Sequence, residues 1–111
     1  MEMSLKTEER KFAMLSIEDL TRIITPIIDP SPVRRVILFG SYAKGTNTKD
    51  SDVDMVIDSN GQLKGIDFFI LTSELARVLP IESDIYEQRE IIPNSPIYDV
   101  IAQEGLVIYE R

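Results

Sequence analysis

The chain contains no cysteine, so disulfide cross-links and thiolate zinc sites are excluded. It contains no histidine either, which removes the commonest general base and metal ligand. Any catalysis has to rest on carboxylates, hydroxyls and cations. Positive charge is scarce: 12 Lys and Arg face 19 Asp and Glu, a net charge of −7. Sequence-independent nucleic-acid binding needs clustered Lys and Arg to displace counterions. Outside the N-terminal tail the only basic pair is Arg34-Arg35, so no direct nucleic-acid partner is expected. Small nucleotides arriving with Mg²⁺, or a basic protein partner, fit this charge better. No apolar run approaches the ~20 residues of a membrane span. The first residues, MEMSLKTEER, are charged and polar and carry no secretory pattern. A cytoplasmic protein without membrane contact is expected.

What is present fits one modest domain of 111 residues. Residues 1–15 read as a charged N-terminal segment, a loose helix or frayed tail, and residues 16–111 as a single domain. Ser16 is an N-cap, with Glu18 and Asp19 in the first turn. Ile17, Leu20, Ile23, Ile24, Ile27 and Ile28 recur at helical spacing, which predicts an amphipathic helix over 17–28 with Pro26 placed to kink or shorten it. After the rigid turn Asp29-Pro30-Ser31-Pro32, a strand is expected over 35–39. A largely buried or partner-covered helix is expected over 66–79, stopped by Pro80. Ser95 and Pro96 open a helix over 96–104 that ends at Gly105, and Leu106–Tyr109 reads as a last strand.

The chemistry concentrates in residues 36–57, VILFGSYAKGTNTKDSDVDMVI. A β-like run, Val36–Phe39, turns through Gly40-Ser41, and Gly45 closes a very short helix. A polar loop leads to Ser51-Asp52-Val53-Asp54 and a second β-like run, Met55–Ile57. On a strand, residues i and i+2 share a face, with Cα atoms roughly 6–7 Å apart. Asp52 and Asp54 would then flank a hard cation such as Mg²⁺, which prefers oxygen ligands and substrate phosphates, while Val53 and Met55 enter the core. A helix opening after Gly40 aims free N–H groups at an anion, and the Ser41 hydroxyl serves the same phosphate.

Blander readings compete. An Asp pair before an apolar run is often only a turn and a strand start. Gly40-x4-Gly45 imitates a P-loop, but Thr46-Asn47 stand where Lys and Ser/Thr are required. Asp50, Asp52, Asp54 and Asp58 imitate a calcium loop, but Met55 and Gly61 stand where Gly and Glu are needed. A third β-like run, Ile81–Tyr86, puts Ile81, Ser83 and Ile85 on one face and Glu82, Asp84 and Tyr86 on the other. On its own, that second face suits a solvent-facing edge strand.

Taken together, Gly40-Ser41, Gly45 and Ser51-Asp52-x-Asp54 resemble the signature of the nucleotidyltransferase (polymerase β-like) superfamily, and most closely its minimal members. The resemblance runs from about residue 16 to the C-terminus. Lys44-Gly45 stands where the family often has Arg-Gly, which keeps the charge but loses a bidentate fork. The resemblance implies an α/β fold, a small mixed β-sheet with helices packed mainly on one face. It implies a third metal-binding aspartate on the strand after the long helix, where Asp84 matches and Glu82 does not. Asp52, Asp54 and Asp84 would hold two Mg²⁺ ions. Gly40, Ser41, Lys44, Gly45 and Ser51 would bind ATP.

Likeness to the short, antitoxin-type members further implies a partner, a HEPN-domain toxin, and AMP transfer to one of its tyrosines. Two alternatives stand beside this reading. One is a non-catalytic antitoxin or binding module that neutralises its partner by covering it. The other is a small-molecule nucleotidyltransferase completed by another subunit. Strand order, nucleotide preference, acceptor residue and stoichiometry are not legible in the sequence.

Overall fold

A computed structural model describes residues 15–111. The expected tail, residues 1–14, lies outside the described residues. Leu15, assigned above to that tail, is buried in the main core. The element order is α1 (Ile17–Ile28), β1 (Arg35–Phe39), α2 (Ser41–Lys44), β2 (Val53–Asp58), α3 (Ile66–Val78), β3 (Ser83–Glu87), a 3₁₀ turn (Gln88–Glu90), α4 (Pro96–Glu104) and β4 (Leu106–Glu110). Among the described residues, no helix is long and apolar enough to cross a membrane.

α1 begins with a full capping box. The Ser16 hydroxyl accepts from Asp19 N–H at 3.0 Å, and the Asp19 carboxylate accepts from Ser16 N–H at 3.1 Å. Pro26 does not end the helix, which continues to Ile28. Leu20, Ile24 and Ile28 lie at i, i+4 and i+8 and are wholly buried. α3 buries Leu71 and Leu75 but leaves Ile66, Phe69 and Ile70 exposed at 68%, 63% and 49%. Of the two expectations for this helix, burial holds only for one stripe.

The sheet runs β3-β2-β1-β4. β1 is antiparallel to both β2 and β4, with a register shift against β4 between Val36 and Ile37, and β3 is parallel to β2. One face carries Val36, Leu38, Val53, Met55 and Ile57 into the main core under α1 and α3. The other carries Phe39 and Val56 into a smaller cluster with Ile91, closed by Ile97 and Ile101 of α4. The helices therefore pack mainly, but not only, on one face. Gly105 lets α4 turn into β4 at close quarters: a Cβ there would sit 2.5 Å from Ile101 O and 2.8 Å from an Ile37 methyl. β3 begins at Ser83, so Ile81 and Glu82 precede the strand they were expected to join.

Candidate active site

The strand register builds the site. Phe39 of β1 lies opposite Asp54 of β2, and Asp54 lies opposite Asp84 of β3. An aromatic ring and two carboxyl groups therefore form one row across three strands, on the face away from α1 and α3. β2 starts at Val53, so Asp52 stands one residue before the strand and is exposed. Val53 and Met55 point into the core as expected.

Two carboxylates facing each other repel, and at Asp54 burial adds to that repulsion. Partial burial, the Asp84 charge, a hydrogen bond with the Asp84 carboxyl group and the Asp52 charge together raise its pKa to about 6. None of Asp52, Asp54 or Asp84 is paired with a Lys or Arg side chain among the described residues. By contrast Asp58, farther along β2, is held by Arg34 and Arg35 at 3.6 and 3.4 Å and accepts from Asn60 N–H. That acid is structural, and it occupies the Arg34-Arg35 pair.

Uncompensated hard oxygens in one row are the donor chemistry of a Mg²⁺ site. The three carboxylates are not drawn together as a ready metal cluster, and no such cluster occurs among the described residues. They fit an ion as partial ligands, which substrate phosphate oxygens would complete.

Gly40 stands directly beside this row. Its φ of +74° and ψ of −153° suit glycine, and a Cβ there would collide with Asp54 Oδ2. The chain then makes α2, four residues long, with Gly45 in the left-handed region and its N–H bonded to Ser41 O. Two predicted nucleotide contacts have protein partners. Lys44 Nζ lies 3.4 Å from Glu104 Oε1, and Ser51 Oγ accepts from Thr48 N–H at 2.8 Å, closing the loop before Asp52. Ser41 is half-buried at the start of α2.

Two features at the site were not assigned a role in advance. Tyr86 lies two residues beyond Asp84 on the same face, its ring centroid 6.0 Å from that of Phe39, so an aromatic floor borders the carboxylates. Burial and the charges of Asp84 and Asp54 raise its hydroxyl pKa. Strand alternation already put Tyr86 on that face; only the pairing with Phe39 needed the sheet order. Tyr42, buried inside α2, hydrogen-bonds Asn47 and ties the short helix to the following loop.

Two open clefts border β3. One, about 740 Å³, is lined by Asp50, Asp52, Ala76, Glu82 and Ser83 among others. The other, about 340 Å³, lies between Thr72, Ser73 and Ala76 of α3 and Ser83–Tyr86 of β3. Neither is lined by all three aspartates.

Residues 20–108 match the nucleotidyltransferase domain family, and the chain belongs to that family. A Methanocaldococcus jannaschii relative, provisionally named a protein adenylyltransferase, is 32% identical over 79 residues, 71% of this chain and 85% of its own. The protein adenylyltransferase MntA of Thermococcus cleftensis is 31% identical over 77 residues, 66% of this chain and 78% of its own. A toxin–antitoxin structure with AMP-PNP matches with a TM-score of 0.65 at 22% identity, over 82% of this chain and 73% of that one. A complex of tri-AMPylated Shewanella oneidensis HEPN toxin with MNT antitoxin matches at 0.61 and 18% identity, over 86% of this chain and 73% of that one. At these identities the solved structures speak for the fold.

Proposed function

We propose that this protein is a Mg²⁺-dependent nucleotidyltransferase that transfers AMP from ATP to a tyrosine of a HEPN-domain toxin, and so acts as its antitoxin. The observation that carries the reading is the Asp54–Asp84 row, two opposed carboxyl groups without a cationic partner among the described residues, set against the glycine turn at Gly40. Relatives named protein adenylyltransferases support the acceptor class.

In this reading Asp52, Asp54 and Asp84 hold the metal, two ions, which when bound offset charge on the triphosphate. Gly40, Ser41 and Gly45 line the phosphates with backbone N–H groups and a hydroxyl, and Ser51 shapes the loop that carries Asp52. Lys44 exchanges Glu104 for a phosphate oxygen. Asp84 lies on the outermost strand, nearest an incoming acceptor. It takes the proton of the tyrosine hydroxyl as that oxygen bonds to the α-phosphorus, and pyrophosphate leaves. In this reading the activity works in the cytoplasm, where ATP is supplied.

The test is to incubate the protein with Mg²⁺, ATP and the HEPN-domain protein and to weigh both chains. One or more AMP units are expected on the partner, and none with Asp52→Asn. A second reading, a binding module without catalysis, is favoured by the exposed Ile66, Phe69 and Ile70 of α3. It wins if the partner stays unmodified yet is inhibited equally by wild type and Asp52→Asn.

A further inference from the structure

Among the described residues β3 is an edge strand, and it carries Asp84. Val53 N–H donates to Glu82 O at 3.0 Å, and the parallel register continues through Asp54–Asp84 and Val56–Tyr86. In such a ladder alternate residues bond inward, so Glu82, Asp84 and Tyr86 turn their peptide groups toward β2. The peptide groups of Ser83 and Ile85 turn outward, where no strand among the described residues lies beside them. No Lys or Pro, the usual guards of a bare edge, occurs within Ser83–Glu87.

The space beside this edge has a defined shape. The two clefts share Ala76 and Ser83, so they run into one trough between α3 and β3. On α3, Phe69, Thr72, Ser73 and Ala76 fall at i, i+3, i+4 and i+7, one continuous stripe. Its small residues leave the strand edge uncovered, and Phe69, 63% exposed, continues the stripe beyond the clefts with an apolar ring. Along the trough Asp50, Asp52, Glu82 and Asp84 outnumber Lys49.

We infer that the acceptor polypeptide docks here in extended form, as a fifth strand added to the free edge of β3. The inference rests on the protein-acceptor reading above. The occupant is a basic segment with alternating character. Every second side chain is apolar and packs on the Phe69–Ala76 stripe of α3. The intervening side chains are basic or polar, and among them the acceptor hydroxyl emerges on the face of Asp84. Main-chain bonds to Ser83 and Ile85 give affinity and register, as in other strand-addition complexes. A one-residue slip would carry the hydroxyl to the wrong face.

Amide hydrogen exchange on the full chain tests this without turnover. Two probes are used: the HEPN-domain acceptor at saturation, and a synthetic peptide alternating Val and Lys around one Tyr, with a scrambled peptide of the same composition as control. The Ser83 and Ile85 amides should slow at least tenfold with both probes and not with the scrambled peptide. Phe69→Ser and Ala76→Met, both at exposed helix positions, should raise KM for the acceptor roughly tenfold while leaving ATP affinity unchanged. Unchanged exchange at Ser83 and Ile85 in the saturated acceptor complex overturns the inference, as does equal binding of the scrambled peptide. Slowing confined to α3 means a helix packed on that stripe, and also overturns it. If no nucleotide reaches any acceptor, the transferase reading falls separately, and the peptide arm still decides whether the edge accepts a strand.

Discussion

At the scale of single residues, Asp54 ties stability to the proposed chemistry. Its pKa in the folded chain is raised to about 6, above the ordinary carboxylate value. A group raised on folding favours the folded state at low pH, and that contribution is lost as pH climbs through the folded pKa. The metal-free protein is therefore held back near neutral pH by the carboxylate row proposed for catalysis. Asp54→Asn should abolish transfer yet raise the Tm of metal-free protein, with the gain over wild type larger at about pH 7 than at about pH 5. Thermal unfolding at the two pH values decides it, and equal differences would mean that the row carries no strain. Adding Mg²⁺ should raise the wild-type Tm more than the variant's. Asp84 and Glu82 offer a second residue-scale test. Asp84 faces Asp54 across the ladder, whereas Glu82 precedes β3 and lines the cleft below. Asp84→Ala should reduce transfer by orders of magnitude and Glu82→Ala only mildly. The reverse ranking would move the third ligand to Glu82.

Among the elements, the junction of β1 with α2 is where sequence and structure agree most closely. Gly40 was legible as the turn that opens a helix, and Gly45 as the end of that very short helix. What the sequence did not disclose is that the atom approaching Gly40 is Asp54 Oδ2, because that needs the antiparallel register of β1 on β2. Gly40→Ala should therefore damage the site twice, by straining a φ of +74° and by displacing the Asp54 carboxylate. The expected outcome is a folded, somewhat less stable protein with transfer reduced at least a hundredfold; near-wild-type transfer would show that Asp54 tolerates displacement. Helices α1 and α4 were legible to their caps, since Ser16, Ser95 and Pro96 are local signals. The start of β3 was misplaced by two residues, because Ile81 and Glu82 continue the alternation but lie before the ladder begins. α3 was half-legible. Its composition announced too much apolar surface for one buried face, but only the packing shows that Leu71 and Leu75 are inside and Phe69 and Ile70 outside.

Over the whole molecule, charge decides which partners approach. The net charge is −7, and the basic pair that could have met a phosphate backbone is held by Asp58 and Glu110. Opposed to this neutralised corner is the uncompensated acid around Asp50, Asp52, Glu82 and Asp84. Fields from exposed charges are screened beyond a Debye length of about 10 Å at 0.1 M salt, so they act mainly on encounter. A basic acceptor should be drawn to the β3 side and a nucleic acid turned away. The association rate with the proposed HEPN-domain partner should then fall roughly tenfold between about 50 mM and 500 mM salt, with a smaller change in dissociation. Stopped-flow or surface-binding kinetics would measure both rates, with single-stranded and duplex RNA as controls that should not bind at either salt. A salt-independent association rate, or tight RNA binding at low salt, would show that the acidic side of β3 does not select the partner.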